Sequence, residues 1–292
     1  MNWFVANEIL LQQAAVSAVL AGSVQMLLKA GIFSFLPVGT WMIGGYAAAI
    51  LSFQGWPTVL AIIAAVLIGA VVSFIVAFAM RRLSGMVLGM ASLAFVLIVQ
   101  VLVRTGPTEV TGGALGLYGI PPQLNTIAVV LIAAAVAVLL WWHERGRAGR
   151  AVESIREDAH VASAVGIPVR GVQAWLVTVA GALGALSGAC YAFMFNAITP
   201  DMGGFKLVVA TLSMVIIGGV ASWKGAYIGT ALMTLLPSLV AIFDAWSLAA
   251  YGVILVAVVV LAPGGLLGIW RDIRSRIRAR SQANANSKEA VS

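Results

Sequence analysis

The chain has 292 residues, of which 62% are hydrophobic and only 9% are charged, with a formal net charge of +7. A soluble globular domain carries about 25% charged residues, so this composition excludes one and predicts an all-α polytopic membrane protein. The basic excess does not indicate a nucleic-acid partner, because the basic residues cluster beside apolar segments, as they do in cytoplasmic loops. The single cysteine, Cys190, lies in an apolar run, which excludes a disulfide framework and favours a small buried side chain.

Apolar segments long enough to cross a bilayer recur along the whole chain. The first is interpreted as a retained span, because MNWFVANEIL has no basic region and no clear cleavage site. The segment 36–54 begins at Pro37 and contains three glycines, so part of it is expected to be broken or re-entrant. The segment 206–221 is short and is interrupted by Gly218 and Gly219. At about 20 apolar residues per crossing, the sequence predicts eight or nine transmembrane helices near 7–28, 36–54, 57–80, 84–103, 124–142, 172–195, 206–221, 225–243 and 247–269.

The basic residues predict the orientation of these spans. Cytoplasmic loops are enriched in Lys and Arg, which places Arg81, Arg82 and the segment 143–170 in the cytoplasm, with Lys29 and Lys224 on the same side. The loop 104–123 then lies outside, and nine crossings put the N-terminus outside and the C-terminus in the cytoplasm. Residues 1–270 are expected to form the transmembrane domain, and residues 271–292 are expected to form a basic, then disordered, cytoplasmic tail.

A short internal similarity links residues 42–47 (MIGGYA) to residues 216–221 (IIGGVA). The two stretches fall in spans that cross in opposite directions, as in an inverted repeat that pairs spans 1–4 with spans 6–9. Transporter cores are often built from such repeats. Six positions in a chain rich in glycine and alanine are equally compatible with chance, and both explanations stay open.

The chain lacks the motifs of a catalyst. It has no HExxH, CxxC or GxSxG and no phosphate-binding loop, so it is not expected to be an enzyme, and any ATP hydrolysis must come from another chain. The two histidines, His143 and His160, are interpreted as solvated, with no metal site. The predicted spans lack charged residues at mid-depth, which argues against proton-coupled transport. The charged residues nearest to the spans fall at or near span ends: Lys29, Glu109, Asp201, Lys206, Lys224 and Asp244. Sodium coupling and passive conduction stay open.

Small residues line one face of the span at 172–195. Such a surface lets helix backbones approach closely, so close helix packing is the favoured interpretation. A substrate path lined by exposed backbone is the alternative. The surface consists of Gly181, Gly184, Ala185, Ser187, Gly188 and Ala189.

The segment 143–170 is the one long polar stretch between apolar spans. Its residues 149–165 suit a helix, with Val152, Ile155, Ala159 and Ala162 on one face. Gly166 is expected to end this helix, and the following proline cannot continue it. An interfacial helix is one interpretation, but three acidic residues would be repelled by anionic lipid. An apolar ridge edged by both signs of charge favours docking on a protein partner.

Five stretches of the chain resemble the membrane subunits of branched-chain amino acid ABC importers of the LivM type, in the LivH/LivM family. The stretch 34–40 (SFLPVGT) departs from that family's SLGHA-like pattern, and Ala221-Ser222 stands where Gly-Ser is usual. The similar stretches are TGGALGLYGIP (111–121), IREDAHVASAVGIPVR (155–170), LSGACYAF (186–193), ITPDMGGF (198–205) and MVIIGGVASWKGAYIGTAL (214–232).

The resemblance implies an inner-membrane permease subunit of a bacterial ATP-driven importer for branched-chain or related small amino acids or amides. Its partners would be a second, LivH-like permease, two cytoplasmic ATPases that use ATP and Mg, a periplasmic solute-binding protein and membrane lipid. The chain itself would bind no cofactor, and its substrate contacts stay open. An ion-coupled secondary carrier and a non-transporting scaffold are the alternatives. The helix at 149–165 would be the coupling helix, meeting an ATPase through Val152, Glu153, Ile155, Arg156, Glu157, Asp158, Ala159, Ala162 and Gly166.

Overall fold

The computed structural model describes residues 8–121, 124–240 and 265, which are almost entirely helical. Two two-residue strands, β1 (Leu117–Tyr118) and β2 (Ala197–Ile198), form one antiparallel pair. The helices are α1 (Glu8–Lys29), α2 (Leu36–Phe53), α3 (Thr58–Ala79), α4 (Gly85–Thr105), α5 (Thr108–Thr111), α6 (Thr126–Arg145), α7 (Arg147–Glu157), α8 (Ala159–Ala164), α9 (Val169–Phe195), α10 (Gly204–Gly218) and α11 (Trp223–Val240).

Seven helices of the described part of the chain are long and apolar enough to cross a membrane. They are α1, α2, α3, α4, α6, α9 and the stretch Pro200–Gly218, in which a 3-10 turn (Pro200–Met202) leads into α10. The prediction of an all-α polytopic membrane protein is therefore confirmed. Helix α11 covers most of the predicted span at 225–243 and begins with Trp223 and Lys224, but it is not among these seven. The predicted span at 247–269, apart from Gly265, and the tail 271–292 lie outside the described residues.

The expectation that the segment 36–54 is broken or re-entrant is wrong, because α2 is one continuous helix. Pro37 lies in its first turn, where a backbone N–H has no intrahelical partner and a proline costs nothing. The glycines of α2 serve packing instead. A Cβ built on Gly44 would lie 2.3 Å from the carbonyl oxygen of Ala185 in α9, so only glycine allows the two backbones to come this close.

Helix α9 lies at the centre of the bundle and packs against α1, α2 and α3. Its small-residue surface makes the contact with α2, where a Cβ on Gly188 would lie 1.8 Å from the carbonyl oxygen of Trp41. The Thr40 hydroxyl, in α2, donates a 2.8 Å hydrogen bond to the carbonyl oxygen of Gly181 across the same contact. Close helix packing, the favoured interpretation of this surface, is confirmed.

The outer helices α3, α4 and α6 each bury only a narrow stripe of four residues and expose most of their large apolar side chains. Phe74 and Phe78 of α3 are 56% and 57% exposed, and Met86 of α4 is 84% exposed. Surfaces of this kind are not stable in water but suit a hydrocarbon environment. The lipid-facing side of the bundle is therefore formed by these three helices.

The two stretches of the internal similarity adopt different local structures. Residues 42–47 lie inside α2, whereas residues 216–221 contain the end of α10, where Gly219 has φ +105° and stops the helix. Gly218 packs against the start of α11, since a Cβ there would lie 1.8 Å from the carbonyl oxygen of Gly225. The two stretches thus differ in local structure.

Candidate functional site at the basic end of the bundle

The segments predicted to be cytoplasmic meet at one end of the bundle, which we call the basic end. Gly31, after α1, lies next to the backbone of Arg156 in α7. Arg81, after α3, and Arg170, at the start of α9, line a common cavity with the same α1–α2 turn. Lys29 at the end of α1 contacts Glu144 at the end of α6. Segments that are distant in sequence but similar in charge thus share one face.

Glu144 is the centre of this end, and the sequence did not single it out. Its carboxylate lies 3.2 Å from Nζ of Lys29 and accepts a 2.8 Å hydrogen bond from the backbone N–H of Trp223 and a 3.2 Å bond from the Ser222 hydroxyl. The Lys29 and Glu144 side chains are only 19% and 16% exposed. Because Trp223 begins α11, the carboxylate also meets the positive end of that helix dipole. One carboxylate therefore joins the ends of α1, α6 and α11.

The polar segment folds as two short helices, so the prediction of one helix over 149–165 is wrong. Helix α7 ends at Glu157, and Asp158 has an extended backbone (φ −154°, ψ 110°). Its carboxylate accepts hydrogen bonds from the backbone N–H groups of His160 (2.7 Å) and Val161 (3.1 Å), and so caps the N-terminus of α8. These two bonds hold the pKa of Asp158 below its ordinary value.

The end of α8 follows the predicted pattern. Gly166 has φ +87°, a conformation that glycine adopts without strain. The backbone N–H of Ile167 donates 3.1 Å to the carbonyl oxygen of Ala162, which closes the last turn. The role of Gly166 as the helix stop is therefore confirmed, and α9 begins three residues later at Val169.

The apolar ridge predicted to dock on a partner faces inward instead. Val152, Ile155 and Ala162 are 3%, 6% and 1% exposed, while Ala159 is exposed. Helix α7 packs against α1 and α6, and α8 packs against α9. Helical spacing correctly placed Val152 and Ile155 on one face, but Ala159 does not share it. The chain covers the buried side chains with its own membrane helices, because burial removes apolar surface from water.

The side of α7 and α8 that points away from the bundle is charged, with two apolar side chains among the charges. Val161 and Val165 are 59% and 71% exposed, and sequence periodicity had not placed them on the outer face. We call this set the outward face. It consists of Glu153, Arg156, Glu157, Ala159, Val161 and Val165.

The two histidines differ in their surroundings. His160 is exposed, as predicted, whereas His143 is partly buried and lies against the ring of Trp175 in α9, with 5.5 Å between ring centroids. His143 is therefore a packing residue that links α6 to α9.

The opposite end of the bundle brings together two of the sequence stretches quoted above. Strand β1, from the stretch 111–121, pairs with β2, which overlaps the stretch 198–205. Gly116 has φ +85°, and a Cβ on it would lie 2.4 Å from the carbonyl oxygen of Ile198. The Tyr46 hydroxyl donates to this same oxygen at 3.3 Å. This pairing ties the loop between α4 and α6 to the end of α9 and to α2.

Comparison with protein families gives one match that decides the classification. The family model described as "Branched-chain amino acid transport system / permease component" matches residues 8–263. The chain belongs to this family. The match runs from the start of α1 past the end of α11, so it covers both ends of the bundle and the α7–α8 segment between the two groups of membrane helices.

Individual permeases of this family are similar to the chain at low identity. The high-affinity branched-chain amino acid transport system permease LivM of Escherichia coli K12 is 26% identical over 270 residues, and that of Salmonella typhimurium LT2 is 25% identical over 270 residues. Each match covers 80% of this chain and 63% of the relative, so the chain spans less than two thirds of their length. The probable permease LivH of Methanocaldococcus jannaschii is 25% identical over 161 residues, 52% of this chain and 50% of the relative. No solved structure gives a significant match.

Proposed function

We propose that this permease is the membrane subunit of an ATP-driven bacterial importer for branched-chain or related small amino acids or amides. The family membership and the similarity to LivM and LivH proteins support a role in branched-chain amino acid transport. The chain would line the translocation path together with a second, LivH-like permease. A periplasmic solute-binding protein would deliver the substrate, and two cytoplasmic ATPases, which use ATP and Mg, would drive the cycle.

The basic end of the bundle would face the cytoplasm. Nine basic residues of the described part of the chain lie in the segments that end there, against Arg104 and Lys206 at the opposite end. This imbalance is the usual mark of the cytoplasmic side. The glycine-rich β1–β2 end would then face the periplasm, where a solute-binding protein would meet it.

The observation that carries the coupling proposal is the two-sided packing of α7 and α8. Their apolar side is buried against the membrane helices, through Val152 and Ile155, while their charged outward face is free for a soluble partner. A force applied to the outward face would therefore pass into α1 and α6, which α7 contacts, and through Glu144 into α11. Closure of the ATPases on ATP would favour one of two access states only if they contact this segment differently in each state.

The proposal is tested by purifying the tagged full chain from the membranes of its native host. A P-loop ATPase and a second permease should copurify, and vesicles containing the complex should take up branched-chain amino acids only with ATP inside and binding protein outside. Uptake driven by an ion gradient without ATP would indicate a secondary carrier. A complex that moves no solute under either condition would indicate a scaffold. Either result would overturn the proposal.

A further inference from the structure

An open cavity lies at the basic end between the turn after α1, the junction of α3 and α4, and the start of α9. It has a volume of about 110 Å³. Its deeper wall is apolar and includes Leu36, Leu88 and Val177. Its rim carries the polar residues Arg81, Ser84, Arg170 and Gln173. The cavity therefore has an apolar interior and a positively charged edge.

Both arginines of this rim are available for an external anion. Among the described residues, the ion pairs are Lys29–Glu144 and Arg104–Asp201, so neither Arg81 nor Arg170 has a carboxylate partner there. None of the described residues that line the cavity is acidic. The guanidinium of Arg81 lies 4.1 Å from the ring centroid of Phe78, a cation–π contact that keeps it at the end of α3.

The cavity borders the ends of two lipid-facing helices. Met80 in its wall directly follows α3, and Leu88 lies in the first turn of α4. The neighbouring side chains Phe74, Phe78 and Met86 are 56%, 57% and 84% exposed. Since exposed apolar side chains of both helices lie close to Arg81 in the sequence, a ligand with a charged head and apolar tails would fit this boundary.

We propose that this cavity binds an anionic phospholipid, whose phosphate is held by Arg81 and Arg170 and whose acyl chains lie along α3 and α4. Basic pockets between membrane helices bind lipid headgroups in this way, and guanidinium groups pair well with phosphate. A free phosphate would use the charged rim but would leave the apolar wall without a partner. The combination of rim and wall therefore favours a lipid.

The position of Arg170 gives such a lipid a mechanical role. Arg170 is the second residue of α9 and follows α8 by a short connection that contains Gly166. A lipid held by both arginines would fasten the start of α9 to the α3–α4 junction, next to the segment proposed to receive motion from the ATPases. The site itself does not depend on those partners.

The test is lipid binding to the full chain purified in a non-ionic detergent, counted by native mass spectrometry. Phosphatidylglycerol is titrated against phosphatidylcholine with identical acyl chains, and inorganic phosphate is added as a competitor. Arg81→Gln and Arg170→Gln should each weaken phosphatidylglycerol binding by about fivefold, and the double variant by about 25-fold, as expected for removing charges at a membrane surface. Arg82→Gln is the matched control, because Arg82 is adjacent and exposed but does not line the cavity.

Charge-preserving variants keep the test valid if the neutral ones fold poorly. Arg81→Lys and Arg170→Lys should keep most of the phosphatidylglycerol binding, and thermal melting in the same detergent reports the folding of every variant. The proposal is overturned if Arg82→Gln loses as much binding as the cavity variants, or if phosphatidylcholine binds as tightly as phosphatidylglycerol. Displacement of the lipid by inorganic phosphate at comparable concentration would also overturn it, since that would identify a site for the free anion.

Discussion

The ammonium of Lys29 at the end of α1 lies 3.2 Å from the carboxylate of Glu144 at the end of α6, and both side chains are largely buried. The same carboxylate accepts the backbone N–H of Trp223 at the start of α11. The ends of α1 and α6 and the start of α11 thus meet at one ion pair. A partly buried carboxylate that loses one of its partners is left with an uncompensated charge, which is energetically costly. These three helix ends are therefore expected to move together.

The first prediction concerns the strength of this junction. Glu144→Gln should lower the free energy of unfolding by about 1–3 kcal/mol, between the values for exposed and fully buried ion pairs. A double-mutant cycle with Lys29→Met and Glu144→Gln, measured by equilibrium unfolding in mixed micelles, should give a coupling of about 1 kcal/mol. The Arg104–Asp201 pair, with side chains 56% and 69% exposed, is the control and should show no measurable coupling. Equal coupling in the two pairs would contradict this account.

The second prediction concerns the close contact between α2 and α9. Gly188→Ala should destabilise the protein by about 1–3 kcal/mol, because the added methyl meets the backbone carbonyl of Trp41 and the helices must separate. Gly171→Ala, in the same helix, is the matched control, since its Cβ would meet only a side-chain atom of Pro168 at 3.9 Å. That change should be neutral or stabilise by up to about 1 kcal/mol through helix propensity. Thermal melting in detergent compares them, and a Gly188→Ala protein as stable as the parent would be inconsistent with the tight packing.

Hydropathy and charge predicted the parts of this fold that depend on local sequence. The membrane helices follow from apolar length, and the basic residues that share one end follow from the asymmetry between loops. Gly166 was identified as a helix stop because its role depends only on its own backbone conformation. The sequence signal of Asp158 was equally local. An aspartate is a common N-cap, because its carboxylate accepts hydrogen bonds from the backbone N–H groups two and three residues later. The spacing of apolar residues on both sides of Asp158 nevertheless favoured one continuous helix.

The remaining features depend on contacts that sequence spacing does not specify. Spacing shows that Val152 and Ile155 share a face, but not whether that face meets a partner or the chain's own helices. The partners of Glu144 come from α1 and from the start of α11, far away along the chain. In α2, the glycines looked like a helix break because their packing partner, α9, lies more than a hundred residues later.

The third prediction concerns orientation. Cysteines introduced at Leu115, near β1, and at Ser154, in α7, should react with a membrane-impermeant maleimide from opposite sides of the membrane. Both positions are exposed, and the native Cys190 is buried, so it adds little background. In intact spheroplasts only Leu115→Cys should label, and both should label after permeabilisation. Labelling of Ser154→Cys in intact spheroplasts would reverse the proposed orientation.

The fourth prediction concerns the cap between α7 and α8. The pKa of Asp158 is lowered by the hydrogen bonds from His160 and Val161, so its stabilising effect is complete above the ordinary aspartate pKa and is lost as the pH falls through the lowered value. Hydrogen-exchange protection factors of the α8 amides should therefore stay constant near neutral pH and fall only in strong acid. Asp158→Asn should keep the protection and remove its pH dependence, whereas Asp158→Ala should lose the protection at every pH. A decrease in the parent near neutral pH would refute this role.

The fifth prediction concerns the outward face as the contact for an ATPase. Glu157→Lys reverses a charge that is exposed on α7, so it should leave the amount of permease in the membrane unchanged. Binding of the ATPase should weaken by about tenfold or more, because a wrongly placed charge at an interface costs on the order of 1 kcal/mol or more. Val161→Asp, on α8, should act in the same direction.

Glu109→Lys is the control. It makes the same charge reversal at the opposite end of the bundle, where the residue is also exposed, and it should leave ATPase copurification at the parental level. If Glu157→Lys and Val161→Asp both retain parental copurification and ATP-dependent uptake, the ATPase binds elsewhere on the chain.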